Sequence, residues 1–320
     1  STHCISSAAS DLYKRQYLHW GFHAWAIYGV VGLCFAYFAF NLGRPFRVSS
    51  FFLDAGLESH WGRVIIDLFA ILATIFGIAT SLGLGATQIT TGLQYLDIAD
   101  TSFSWTIWII IFITALGLIS VILGLNAGIK RLSQLNMILC GCFLMAIFLF
   151  GPTGYILDGF IENIGSYIQN FISLSTNVNT YSNSDWQNAW TLFYYCWWFA
   201  WSPFVGLFIA RISYGRTIKE FILGVVFLPS LIVFIWLSVF GNAAIYQEFM
   251  SAGSLANAIN ENISVSLFIF LEKYPGSTLL MGLSLINILT FFVTSSDSGA
   301  LVTSMTVSYT HLTLPTICSV

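Results

Sequence analysis

The chain has 320 residues, of which 57% are hydrophobic and only 8% are Asp, Glu, Lys or Arg, with a formal net charge of −3. An ordinary soluble domain is about a quarter charged, so water is not the main solvent here, and nothing in the charge balance indicates nucleic acid as a partner. Several apolar runs reach the roughly 20 residues that cross about 30 Å of hydrocarbon as a helix, whereas a barrel would show short alternating segments, so the expected fold class is all-α integral membrane.

In chain order, Ser1 to Arg15 show no signal-peptide pattern, and the chain is expected to start inside a longer protein. The first span is expected from about Trp20 to Phe40 and carries Trp20, Trp25 and Tyr28 within HWGFHAWAIY. Trp25 and Tyr28, three apart, roughly share a face. Counted back from Arg44, Trp25 lies about 28 Å from the inner boundary, a depth that suits an interfacial belt, whereas a binding role there needs the helix to tilt or protrude inward. His19 and His23 fall at the same edge and read as interfacial rather than catalytic.

The second span, Val64 to Tyr95, contains Thr74, Thr80 and Ser81 within TIFGIATSLGLG, where hydroxyls accompany glycines expected to loosen the helix. Hydroxyl and freed carbonyl oxygens suit a small alkali cation, although Ser and Thr in membrane helices also bond to their own backbone. Spans three and four are expected at Trp105 to Leu125 and Leu132 to Phe150. Leu157, Phe160, Ile161, Ile164, Ile168 and Phe171 then recur at helical spacing, which predicts an interfacial helix near 157–172. The polar stretch Ser173 to Asn188 reads as an extracellular loop joining two structural halves.

The fifth span, Ala189 to Ile209, holds the densest chemical signal, YYCWWFAWSPF. Trp201 lies ten residues before Arg211, which puts it roughly 15 Å from the inner boundary, too deep for an aromatic belt. Trp197 and Trp201 share a face with Trp198 beside them, and Pro203 is expected to kink or open the helix just below. Broken helices at mid-depth are where transporters place substrates. A wall of Trp suits a trimethylammonium group, which has no N–H to donate and is drawn to each π-face by about 0.5 to 2 kcal/mol. The rings could equally fill space between helices.

The sixth span is expected from Phe221 to Ile245 and the seventh from Thr278 to Met305, the latter carrying TFFVTSSDSGA with Asp297. An intramembrane Asp is costly and counts as functional by default, although it could also lock helices through Ser and backbone partners. Arg44, Arg47, Arg63, Lys130, Arg131, Arg211, Arg216 and Lys219 fall in alternate loops, which places that side in the cytoplasm. Cys34, Cys140, Cys142 and Cys196 sit in apolar runs, with no disulfide framework or metal-ligand spacing. The closing run Val307 to Val320, VSYTHLTLPTICSV, resembles the translation of a transposase sequencing adapter, so native sequence is expected over 1–306 only.

The pieces HWGFHAWAIYGVVGLCFAYF, ATIFGIATSLGLGATQITTGLQYL, GIKRLSQLNM, YCWWFAWSPFVGLFIARISYGRTIKEFILG and FFVTSSDSGALV cover nearly all of Tyr17 to Val302 and resemble the betaine/choline/carnitine transporters. That resemblance implies a LeuT-type fold of inverted repeats, here truncated at both ends to about helices four to ten of twelve, and assembly as a homotrimer in a bacterial inner membrane. Trp20, Trp25, Tyr28 and Trp198 match the family's substrate-binding aromatic box, and Trp197 and Trp201 match rings beside the path. Thr294, Ser295 and the carbonyl of Phe291 match half of a sodium site. Thr74 and Phe204 match a second, but the hydroxyl expected four residues after Thr74 is replaced by Ile78. The implied activity is uptake of glycine betaine, choline or carnitine coupled to sodium or protons, for osmoprotection or nutrient supply. The alternative is ion-independent substrate/product antiport. An integral-membrane enzyme or receptor would need catalytic groups the sequence does not offer, no cofactor is implied, and the 320 residues alone are expected not to transport.

Overall fold

A computed structural model describes residues 14–56, 59–100, 102–124, 130–180, 185–250, 255–257 and 262–311, with side chains omitted for 124 and 301–311. Most of the first fifteen residues and the end of the adapter-like run, 312–320, lie outside the described residues. Among those described, the backbone is helical with no strand.

Among the described residues, seven helices are long and apolar enough to cross a membrane, matching the seven expected spans with ends shifted by a few residues. These are α1 (Lys14–Asn41), α2 (His60–Tyr95), α3 (Phe103–Gly124), α4 (Lys130–Phe150), α7 (Gln187–Ile212), α8 (Ile218–Met250) and α10 (Ser277–His311, apolar to Ala300). Shorter helices α5 (Thr153–Gln169), α6 (Phe171–Thr176) and α9 (Ile263–Glu272) connect them. Side chains such as Trp61 and Ile122, 72% and 74% exposed, turn outward, which is tolerable in a bilayer and a liability in water.

Local chemistry explains several boundaries. Thr217 opens α8 with a capping box, its Oγ1 accepting from Glu220 N (3.2 Å) while Glu220 Oε2 accepts from Thr217 N (2.9 Å). Gly215, at φ 77°, supplies the left-handed turn before it. The stretch expected as a loop from Ser173 is helical as far as Thr176, because Ser175 and Thr176 donate back to Phe171 O and Ile172 O at 2.6 and 2.9 Å. These back-bonds replace the solvent contacts that would favour a loop.

The chain divides into two compact units. One comprises residues 1–18, 80–177 and 231–297, with a core that includes Ile113, Ile147, Ile156, Phe268 and Leu271. In it α5 buries Ile156, Asn163 and Tyr167 while Leu157, Ile161 and Ile168 stay exposed. Asn163 Nδ2 donates to Asn242 Oδ1 (3.2 Å), and Asn242 Nδ2 donates to Ile156 O (3.3 Å). Asn163 turns inward because a buried amide finds a partner there, while Asp158 and Glu162 stay exposed beside the apolar Leu157 and Ile161. The other unit comprises 19–79, 178–230 and 298–320 and contains the aromatic residues singled out above.

Candidate functional site

Helices α1 and α7 approach closely because small residues line their contact. A Cβ on Gly206 would lie 2.6 Å from Val31 Cγ1 and 3.1 Å from Gly32 N, so only glycine permits this backbone separation. That approach brings the two aromatic sets, 170 residues apart in sequence, into one cluster containing Trp20, Trp25, Tyr28, Trp197, Trp198 and Trp201.

Trp198 is the buried hub. Its ring meets Trp20 edge to face at 4.8 Å (74°), meets Tyr28 at 6.2 Å (78°), and stacks on Trp197 at 5.6 Å (18°). Trp25 meets Tyr28 at 5.8 Å (77°), and Trp20 meets Trp197 at 6.4 Å (69°). The Trp198 Nε1–H donates to His19 O at 2.8 Å, so its only hydrogen-bonding group is used and its faces are what remain. His19 is buried within the protein. It is 2% exposed, and its Nε2 shares a hydrogen bond with Thr191 Oγ1 at 3.0 Å.

Of the kink or opening expected at Pro203, the helix shows no opening. Phe193–Ile212 runs on through the proline, because Ser202 Oγ donates to Phe199 O at 2.8 Å, supplying the carbonyl that the missing proline N–H cannot serve. The glycines of α2 do not break their helix either, which runs unbroken from His60 to Tyr95. Two of them make room for rings: a Cβ on Gly77 would sit 2.8 Å from Trp201 Cδ1 and Nε1, and one on Gly85 would sit 2.2 Å from Phe292. Trp201 also contacts Phe204 at 5.6 Å, and its buried Nε1 has no hydrogen-bond partner among the described residues.

Thr74 and Phe204 line one small cavity of about 20 Å³ together with Asp67 and Arg47, a volume suited to about one water. Thr74 Oγ1 donates to Ala70 O at 2.9 Å, leaving its lone pairs toward other groups. Asp67 was missed in the sequence, although a carboxylate within an apolar span is the signal that should have flagged it. It is 3% exposed and accepts from Ser49 N (2.9 Å) and Ser49 Oγ (2.8 Å), pinning the loop after α1 to α2. In that loop Arg44 also pairs with Asp54 and holds its carboxyl below the usual range.

Phe291, Thr294 and Ser295 lie on α10, within the first unit described. Thr294 Oγ1 donates to Phe291 O and Thr290 O at 3.0 and 2.9 Å, so two of the expected sodium ligands form adjacent hard oxygens. Asp297, on the same helix, accepts from Ser120 Oγ at 2.6 Å, a helix-to-helix lock of the kind weighed in the sequence. Cys34, Cys140, Cys142 and Cys196 are free thiols.

Comparison with known proteins is consistent across sources. Residues 2–319 match the family described as BCCT, betaine/carnitine/choline family transporter. The chain is 43% identical over 310 residues to the glycine betaine transporter OpuD of Bacillus subtilis, covering 95% of this chain and 60% of that protein. It is 42% identical over 299 residues to a glycine betaine transporter of Acinetobacter baylyi, covering 92% and 45%. It is 43% identical over 286 residues to the glycine betaine/proline/choline transporter VP1723 of Vibrio parahaemolyticus, covering 89% and 51%. The chain therefore spans about half the length of the curated relatives it matches.

Proposed function

The chain belongs to the betaine/carnitine/choline family of transporters, and we propose that the intact protein takes up a quaternary-ammonium compound, glycine betaine, choline or carnitine, by cation-coupled symport. It is a multi-pass membrane protein, not an enzyme, and its bacterial relatives point to an inner membrane. A LeuT-type inverted-repeat architecture, a homotrimeric assembly and a role in osmoprotection or nutrient supply belong to the same proposal.

One observation carries the substrate class: six aromatic rings from α1 and α7 form one cluster in which the buried hub, Trp198, has already spent its N–H. What such a hub offers is π-surface, and a methylated cation that can neither donate nor accept hydrogen bonds gains from π-surface more than from any polar group. Trp20, Trp25 and Tyr28 supply further rings, and Trp197 and Trp201 extend the aromatic wall along α7. In the intact protein, Trp198→Ala should weaken binding of glycine betaine by roughly tenfold or more, the equivalent of losing about 1.4 kcal/mol of ring attraction. Trp108→Ala, a control 65% exposed on α3, should leave it near the starting value. Equal losses in the two variants would remove the basis for the cage.

For coupling, Thr294, Ser295 and the Phe291 carbonyl are the residues that would hold sodium on α10, as hard oxygens suited to an alkali cation. A cation favouring the substrate-closed state must in turn bind more tightly when substrate is present. At the other site, Ile78 stands where the hydroxyl expected four residues after Thr74 would be, which argues against a second sodium ion beside Thr74 and Phe204 and leaves proton coupling open. Uptake of glycine betaine into proteoliposomes with and without a sodium gradient separates symport from ion-independent exchange: no response to sodium or proton gradients rules out the symport reading.

A further inference from the structure

His19 ties three features of the site together. Its buried ring shares a hydrogen bond with Thr191 Oγ1 at 3.0 Å, stacks on Trp186 at 5.8 Å (21°), and leans on Tyr194 at 5.0 Å (32°). Its carbonyl takes the Trp198 N–H at 2.8 Å. Thr191 sits in the π-helical turn Gln187–Leu192 that opens α7, a local distortion that helices tend to retain where function requires a side chain in one direction. On the other side of the contact, α1 is interrupted at Gly21, directly after Trp20, where φ −92° and ψ −132° leave the helical region. The His19 carbonyl thus lies two residues before a break in the regular helix.

The chemistry of indole gives this arrangement a consequence for the ligand. Indole has one donor and no acceptor, so a Trp whose N–H is free attracts carboxylates, whereas one whose N–H is spent offers only its faces. A buried N–H without a partner would also be costly, which pulls the ring toward any acceptor that enters. The substrates of the proposed class carry a methylated cation, and two of them also carry a carboxylate. Which end meets Trp198 therefore depends on where its N–H is directed.

We propose that His19, held in place by Thr191, is a positioning residue that turns the Trp198 N–H away from the ligand and so selects a quaternary-ammonium head group at that ring. The inference rests on the aromatic-cage reading, and its test separates the two. The full-length protein is reconstituted in proteoliposomes, and initial uptake of labelled glycine betaine gives KM and Vmax for Thr191→Val, Thr191→Ser, His19→Gln and Trp198→Ala. Inhibition of that uptake by tetramethylammonium is measured alongside.

Thr191→Val keeps the side-chain shape and removes the hydrogen bond, so KM should rise roughly three- to tenfold, the effect of one lost hydrogen bond. The change in Vmax should be much smaller, and tetramethylammonium should weaken as an inhibitor by a similar factor. Thr191→Ser should restore most of the loss, and His19→Gln, which also loses the ring contacts, should be worse than Thr191→Val. The proposal is overturned if Thr191→Val leaves KM within twofold, if Thr191→Ser is as impaired as Thr191→Val, or if the loss lies wholly in the amount of folded protein. In each of those cases an intact Trp198→Ala effect keeps the cage. A Trp198→Ala protein with unchanged KM removes the cage and this inference together.

Discussion

Gly77 offers a sharp test of how tightly α2 meets the aromatic wall. A Cβ there would sit 2.8 Å from both Trp201 Cδ1 and Trp201 Nε1, against an ordinary contact of about 3.5 to 4 Å, so the indole would have to retreat by the better part of an ångström. Trp201 has little freedom to do so, since its ring also contacts Phe204. Overpacking of this kind costs about 1 to 3 kcal/mol, set against about 1 kcal/mol gained when alanine replaces glycine inside a helix, leaving Gly77→Ala about neutral to 2 kcal/mol destabilising. Gly83 lies on the same helix with nothing within 4 Å of a Cβ, so Gly83→Ala should collect the helix gain alone and stabilise slightly. Thermal unfolding in detergent should therefore put Gly77→Ala below Gly83→Ala. Combining Gly77→Ala with Trp201→Phe, which removes the obstructing five-membered ring, should cost less than the sum of the single changes. Equal transitions for the two glycine variants, or strict additivity in the pair with Trp201→Phe, would refute the close contact.

Two further outcomes follow from hydrogen bonds. Ser202→Ala should destabilise by about 1 to 3 kcal/mol because the Phe199 carbonyl then has no donor; in a Pro203→Ala background, where a backbone N–H returns, the same change should cost much less, as denaturation of the four proteins of the cycle would read. Asp67→Ala removes the acceptor for both Ser49 donors, whereas Ser49→Ala leaves the backbone one in place, so thermal unfolding should show the first variant clearly below the second, and the reverse order would contradict the pinning of this loop.

What was legible in the sequence follows the physics of the bilayer. Spans were readable because each run of apolar residues must satisfy its own backbone as a helix, so length and hydropathy alone locate them. Trp201 stood out as well, since an indole at mid-depth is not explained by the membrane interface, whereas Trp20, Trp25 and Tyr28 were assigned to the box only through the family resemblance. Direction was not. A periodic pattern says which residues share a face, but in lipid an apolar face can point either way, which is why Leu157 and Ile161 face outward while Asn163 is buried. The surroundings of His19 and Pro203 were hidden for a related reason. A lone imidazole near the surface of a span, or a proline in its middle, looks interfacial or disruptive until its partner is known, and the partners here are a hydroxyl 172 residues away and one a single residue back.

The same reasoning explains why hydroxyls and glycines recur throughout the polar stretches that looked like cation sites. Between helices in lipid there is little hydrophobic gain, so association relies on close backbone approach and on short polar side chains that find partners inside. Thr90 bonding to Thr106 at 3.1 Å, Thr290 to Asn136 at 2.9 Å and Ser120 to Asp297 at 2.6 Å are that chemistry at work. A hydroxyl engaged only as a donor, as Thr294 Oγ1 is toward Phe291 O, keeps lone pairs for a cation; one engaged across helices fixes the scaffold. Thr294 and Thr74 both donate within their own helix, so their lone pairs stay open to an ion, as do those of Ser81 Oγ, which is buried with no hydrogen-bond partner among the described residues.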